Sequence, residues 1–257
     1  MLFDPLSFWR RSFCIVGGLL ILLLGWKLAL VVGLVSPLLL PPPSKVGVAL
    51  TKLVCSVSFW NDLLATTFTW FAGVALGTLI GGFAGVALGL NRYVWVAIEP
   101  WVEFLRSLPS VVLVPLVSLF LGVGSSSRVA CSAIVILVLM VSSSATAVRA
   151  TKDAHMRLAS AWRATRFQTI WTFVLPAVLS HMVIALRAGI PIALIVTVAA
   201  DMLIATESGI GKIIMDALAV FDMARMYAAV FVVGLLGYMA AAVSDFVGRL
   251  TIHWSGA

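Results

Sequence analysis

Apolar stretches of about 20 residues, the length that crosses a bilayer as a helix, recur in this chain from residue 13 to residue 248. Six can be set out, at about 13–36, 63–90, 109–123, 128–148, 177–204 and 226–248. A soluble domain is nearer half apolar and a quarter charged. This chain of 257 residues is 62% hydrophobic and 11% charged. So little polar surface cannot coat a water-soluble body of this size, and lipid must be the solvent. The expected fold is all-α: a polytopic membrane protein of about six transmembrane helices, with no soluble domain. Residues 1–60 take in an N-terminal tail, the first span and a proline-rich segment; 61–248 form the main transmembrane domain, with a loop at 149–176; 249–257 form a tail.

The punctuation between spans is informative. The first span, interrupted by Trp26-Lys27, ends in Leu40-Pro41-Pro42-Pro43, which cannot continue a helix and forces an extended exit. Residues 44–60 are mildly amphipathic. Residues 93–106 hold Glu99 and Glu103 among aromatics and suit an interfacial helix, and 205–224 read as a loop. Arg10-Arg11 ahead of an apolar run imitates a signal peptide. The run from Phe13 nearly to Leu40 is too long for a secretory apolar region, so an uncleaved first span is expected.

Net charge is +7. In a soluble protein that balance would raise the question of nucleic acid, but here the basic residues fall in short loops between apolar spans. With the N-terminus inside, ten of the 17 lysines and arginines are inner and five are outer (Lys45, Lys52, Arg128, Lys212, Arg225), while Lys27 and Arg187 lie within spans. The excess places 149–172 on the cytoplasmic side, and an even span count returns the C-terminus there. No nucleic-acid partner is expected. Cys14, Cys55 and Cys131 are scattered, and His155, His181 and His253 are isolated, so neither a disulfide framework nor a metal site is expected.

The second span carries Gly73, Gly77, Gly81, Gly85 and Gly89, each four residues after the last, and reads AGVALG twice, at 72–77 and 84–89. Residues four apart share one helix face, so the ladder makes a groove without side chains. Burial of apolar surface drives no association within lipid, and close backbone approach is the packing device that remains. The ladder marks a tight crossing, either in a moving transporter core or as ordinary membrane packing.

Ionisable residues within spans are functional candidates by default. Asp201, near one end of the fifth span, either faces a pathway or satisfies a neighbouring helix. Arg187, about ten residues into that span, either offers charge to an anion, snorkels, or pairs with a carboxylate. Pro191 stands where a kink would fall near the midplane. Ser142-Ser143-Ser144 either line a polar path or bond back to their own helix.

Residues 151–176 read TKDAHMRLASAWRATRFQTIWTFVLP, a mixture of arginines, alanines and aromatics closed by Leu175-Pro176. Helical spacing puts Leu158 and Trp162 one turn apart with Thr165 near, a greasy patch with basic flanks that suits docking on a partner. This stretch resembles the loop of ABC importer inner-membrane permeases of the binding-protein-dependent type. The taurine, aliphatic sulfonate and nitrate or bicarbonate branch is the nearest match. The family loop runs Glu-Ala-Ala, three residues, Gly, nine residues, Ile, one residue, Leu-Pro. Here the triplet falls on Arg157-Leu158-Ala159, the glycine on Arg163, and Phe173, Leu175 and Pro176 close the register; Ala164-Thr165-Arg166-Phe167-Gln168 resembles the run after the glycine. Pro41–Pro43, Arg106-Ser107-Leu108-Pro109, Ala199-Ala200-Asp201-Met202 and Gly209-Ile210-Gly211 resemble further family positions in the right order, over about 38–254. Two positions depart. Arg157 replaces the usual acid, and Arg163 replaces a glycine whose positive-φ turn costs arginine more, so a reshaped loop or partner surface is expected.

The resemblance implies the type I importer permease fold and multi-pass residence in a bacterial inner membrane. It also implies a second permease copy (a homodimer), two ATP-binding subunits, and an extracytoplasmic solute-binding protein. The chain has no Gly-x-x-x-x-Gly-Lys-Ser/Thr loop. It is expected to bind no cofactor and to be no enzyme, with ATP and magnesium held by the partner ATPase. The segment 157–167 with Leu175 and Pro176 would couple to that ATPase; Asp201, Arg187, Pro191 and Pro109 are candidates for the translocation path. The implied cargo is a small anion such as a sulfonate, taurine, nitrate or bicarbonate. A stand-alone secondary transporter or channel is the alternative, although it would call for recurrent buried acids where this chain offers chiefly Asp201. An intramembrane enzyme ranks last, for want of a paired nucleophile and base.

Overall fold

A computed structural model describes residues 8–161, 165, 168, 172, 175–204 and 207–251. Among them every regular element is helical: α1 (Phe8–Val31), α2 (Pro43–Val54), α3 (Val57–Leu90), α4 (Arg92–Ser107), a 3₁₀ turn (Ser110–Val112), α5 (Leu113–Leu121), α6 (Ser125–Ala161), α7 (Leu175–Leu203), α8 (Ile210–Ala219) and α9 (Met223–Thr251). Contacts divide the chain into two compact units, residues 1–59 with 213–231 and residues 60–212 with 232–257.

In the first unit, α1 presents leucine and isoleucine outward along Phe13–Val31, the surface expected of a helix whose neighbour is lipid. The helix runs through Trp26-Lys27 without a break. The Trp26 indole N–H donates to the Pro41 carbonyl at 3.1 Å and the ring lies 5.8 Å from Tyr227, so the proline-rich exit folds back beside its own helix. Pro43 opens α2, where its missing N–H costs nothing.

In the second unit the glycine ladder is a seam between α3 and α6. A Cβ on Gly73 would strike Ser132, on Gly77 Ala133 and Ile136, on Gly81 Leu137 and Met140, on Gly85 Val141 and Ser144, and on Gly89 Ala145 and Val148. Each step of four along α3 matches a step of four along α6 in the same direction, so the two helices run parallel at constant register. Parallel helices need an odd number of crossings between them. The connection is α4 and α5, which meet at a bend of 90° and pass as one broken span. The expected third span at 109–123 is therefore half of a crossing, and this bent pair raises the count of candidate spans from five to six.

The bend has a local cause. Asn91 caps α4 by accepting from the N–H groups of Tyr93 and Val94. Pro109 then holds Leu108 extended (ψ 134°) and stops the helix. Three apolar clusters hold the second unit together. Trp95 and Val102 of α4 pack on Val138, Val141 and Ala145 of α6; Val114 of α5 packs with Cys131, Val196 and Ala200; Ala147, Val148 and Val178 join α6 to α7.

Two boundaries differ from the sequence expectation. α6 does not stop near residue 148 but continues to Ala161. Its apolar part ends at Ala150, and the remaining turns carry it about 16 Å further at 1.5 Å per residue. Residues 205–224 are not all loop, because α8 occupies 210–219: Ile210, Ile213, Ile214 and Ala217 form a buried stripe at helical spacing.

Candidate translocation and coupling site

The proposed coupling segment begins on the extension of α6, which carries Arg157, Leu158 and Ala159 out past the apolar part of the helix. The side chains of those three lie outside the described residues, as do Trp162, Arg163, Ala164, Arg166, Phe167 and Phe173. Thr165 is exposed. Its backbone N–H donates to Gln168 Oε1 at 2.9 Å, and the Gln168 N–H returns a bond to Thr165 Oγ1 at 3.3 Å. That reciprocal pair is a capping box, the device that opens a helix. Leu175 and Pro176 begin α7, with proline at a position whose N–H has no partner to lose.

Charge is concentrated at the other end of α6. Arg128, counted from sequence among the outer loop cations, lies inside the first turn of α6 with 3% of its surface exposed, and Asp201 near the end of α7 shows 1%. Arg128 Nη1 donates to Asp201 Oδ1 at 3.0 Å and to the Ser208 carbonyl at 2.9 Å; Nη2 donates to Ser125 Oγ at 3.1 Å. Thr66 of α3 donates to Asp201 Oδ2 at 2.5 Å and accepts from the Ile210 N–H at 2.9 Å. The Gly211 N–H also bonds the Asp201 carboxylate, and the Gly209 N–H donates to Asp62 Oδ1 at 2.9 Å. Asp201 thus satisfies its neighbours, drawing the starts of α3 and α6, the end of α7 and the N-terminus of α8 onto one carboxylate. An anion at a helix N-terminus is favoured by the exposed N–H groups and the helix dipole.

Glycine is required here for space and for conformation. Gly209 has φ +135°, and a Cβ there would lie 2.5 Å from Asp201 Oδ2; one on Gly211 would lie 2.5 Å from Asp201 Cβ. The Gly209-Ile210-Gly211 signal therefore marks the contact with Asp201. Nothing local in the sequence ties Asp201 to Arg128, 73 positions earlier.

The other candidate path residues are dispersed. Pro109 caps the 3₁₀ turn at the α4–α5 bend. Beside it a cavity of about 230 Å³ is lined by Arg106, Ser110, Leu113, Val138 and Ile192, among others. Arg106 bonds Glu103 at 2.8 Å and reaches Ser142 at 3.4 Å. Pro191 lies inside α7, which continues through it; the preceding carbonyl, of Ile190, accepts the Trp70 indole N–H at 3.1 Å. Arg187 sits one turn earlier against α9, its Nη2 3.4 Å from the Asp245 carbonyl. Ser143 bonds across to the His181 carbonyl of α7 at 3.2 Å rather than back to its own helix. The glycine ladder, the Asp201 cluster and the proline bend are thus three separate places on one helical scaffold.

A parallel pair joined through a broken crossing, with one helix running on beyond the apolar layer, describes a polytopic helical membrane protein. The chain belongs to the binding-protein-dependent transport system inner membrane component family, whose model matches residues 73–252. It is 26% identical over 257 residues to the taurine transport system permease protein TauC of Escherichia coli strain K12, covering 98% of this chain and 92% of that one. It is 25% identical over 232 residues to the putative aliphatic sulfonates transport permease protein SsuC of the same organism, covering 90% and 88%. Among solved structures, an inward-facing chain of the MetNI methionine ABC transporter superposes with a TM-score of 0.64 at 16% identity, over 74% of this chain and 94% of that one. The protein is a multi-pass inner-membrane permease subunit of a binding-protein-dependent importer.

Proposed function

We propose that the chain forms, as a homodimer, the translocation path for a small organic anion of the sulfonate type, taurine included. The supporting observation is the near end-to-end likeness to the taurine permease, with a sulfonate permease close behind. Two ATP-binding subunits on the cytoplasmic face supply the energy by pressing on 157–167, and an extracytoplasmic binding protein supplies the solute. Both termini lie in the cytoplasm. In sequence the segment sets Leu158 and Trp162 at helical spacing among the basic Arg157, Arg163 and Arg166, and α6 carries its beginning past the apolar part of the helix. Asp201 serves this reading as a tether, holding α7 and α8 to the starts of α3 and α6, while Pro191 and Pro109 shape the walls beyond it.

Purification with native partners tests the assignment, followed by a calorimetric ligand screen on the co-purified binding protein. Taurine and short alkanesulfonates are expected to bind in preference to nitrate, bicarbonate and aromatic acids. Tight binding of an uncharged or cationic solute, with none for sulfonates, would refute the cargo and leave the class intact. Arg163→Glu is expected to abolish ATPase association and uptake; retention of both would remove the docking loop. Uptake into proteoliposomes without any ATPase would favour the secondary-transporter reading.

A further inference from the structure

The second unit carries an open cavity of about 330 Å³ between α3, α7 and α9, lined by Trp70, Ile190, Leu236, Met239, Val243 and Arg187. The arginine is seated deliberately. Gly248 of α9 lacks a side chain where the guanidinium lies, and a Cβ there would collide with it. Its recorded bond is the long one from Nη2 to the Asp245 carbonyl, and its Nε is buried without a partner. Among the described residues the ion pairs join Arg106 to Glu103, Arg128 to Asp201 and Arg149 to Glu99, and none places a carboxylate oxygen within 4 Å of Arg187.

Position sharpens the point. Asp245 lies at the end of the apolar part of α9, which closes at Phe246. From there the cavity lining follows the helix back to Leu236, about 13 Å at 1.5 Å per residue. One end therefore offers a cation near the edge of the apolar layer, and the rest offers hydrocarbon. A guanidinium there is within snorkelling reach of the interface, where a lipid phosphate would answer its charge. A small hydrophilic anion would answer the charge but leave the apolar wall uncovered, and a zwitterionic lipid would cover the wall without answering the charge.

We propose that this cavity binds one anionic phospholipid, its phosphate on Arg187 and an acyl chain along Leu236–Val243. Basic pockets between transmembrane helices are suited to such head groups. The site does not depend on which solute is carried.

The test is native mass spectrometry of the full chain in micelles, titrated with dioleoyl phosphatidylglycerol or dioleoyl phosphatidylcholine. The wild type is expected to retain one phosphatidylglycerol per chain with about tenfold preference, the weight of one charge-assisted hydrogen bond. Arg187→Gln should lower it to the phosphatidylcholine level, Arg187→Lys should keep much of the preference, and Ala240→Phe, which fills the cavity, should remove both lipids. Should Arg187→Gln fail to fold, Gly248→Ala displaces the guanidinium without changing charge and must weaken the preference. Equal retention of the two lipids by the wild type, or of phosphatidylglycerol by wild type and Arg187→Gln, overturns the proposal. So does competition by inorganic phosphate alone, which marks a free-anion site, or a disulfide between two Val243→Cys chains, which marks a face covered by a second copy.

Discussion

Removing one member of the Arg128–Asp201 pair should cost far more than removing an exposed charge. The side chains are 4% and 0% exposed and 3.0 Å apart. At an effective dielectric of about 20, two unit charges at that distance attract by about 5–6 kcal/mol, before desolvation is counted. In Arg128→Met the Asp201 carboxylate stays buried without its countercharge, though Thr66 and Gly211 still donate to it, and the Ser208 carbonyl loses its arginine partner. In Asp201→Leu the guanidinium stays buried with the Ser208 carbonyl and Ser125 hydroxyl alone. Each single change should destabilise by about 3–5 kcal/mol, the usual cost of orphaning a buried ion. The double variant removes both charges, so it should cost less than the sum of the singles by about 2–3 kcal/mol. Reversible unfolding in mixed micelles of dodecyl maltoside and dodecyl sulfate, followed by helicity, measures all four corners of the cycle. Single costs below about 1 kcal/mol, the size of an exposed pair, or strictly additive effects, would refute the buried tether.

Three other substitutions probe separate links in the fold. Gly81→Ala places a methyl 2.6 Å from the Leu137 carbonyl and 2.9 Å from Met140 Cβ, so it should cost about 1–3 kcal/mol by overpacking. Gly25→Ala in α1 meets nothing within 4 Å and should change stability by no more than about 0.5 kcal/mol; equal melting temperatures for the two variants would contradict the seam. Gly209→Ala must accept φ +135° as well as contact with Asp201 Oδ2. It should lose at least about 1 kcal/mol and expose the α8 N-terminus to faster amide exchange, which hydrogen-exchange mass spectrometry would register. Asn91→Ala removes the α4 cap and should cost about 1 kcal/mol in the same unfolding assay, whereas Asn91→Asp should be near neutral.

The parts of the fold legible in sequence are those with a local period. Five glycines at a spacing of four face one direction whatever the rest of the chain does, so the seam shows as a pattern before its partner is known. Pro109 likewise marks a helix stop in the sequence, although proline alone does not decide it, since α4 and α7 run through Pro100 and Pro191. The α6 extension was hidden because Arg149, Lys152 and Arg157 mark the limit of lipid, and hydropathy reports lipid rather than helix. α8 was hidden by its size. Ten residues are too few to read as a span, although Ile210, Ile213, Ile214 and Ala217 carry a stripe at helical spacing. The Arg128–Asp201 pair had no local signal at all. Arg128 falls next to a Gly-Val-Gly turn and three serines, the surroundings of a surface cation, and only tertiary packing brings it to a carboxylate.

These separate features meet on α6. Its one face is locked to α3 at five successive glycines, whose missing side chains bring the α3 backbone against the backbone and Cβ atoms of α6. Close-packed contacts of this kind transmit displacement rather than absorb it. One end of α6 runs on to Ala161, where the proposed coupling segment begins; the other end holds Arg128, and through it α7, α8 and the first turns of α3. Under the proposed coupling, a push from the ATPase side therefore moves α3 and α6 as a single strut and is delivered to Asp201. Under that coupling we expect the path to change at the α4–α5 bend, where Pro109 and a single 3₁₀ turn beside a cavity join two helices that pack on α6 through separate clusters.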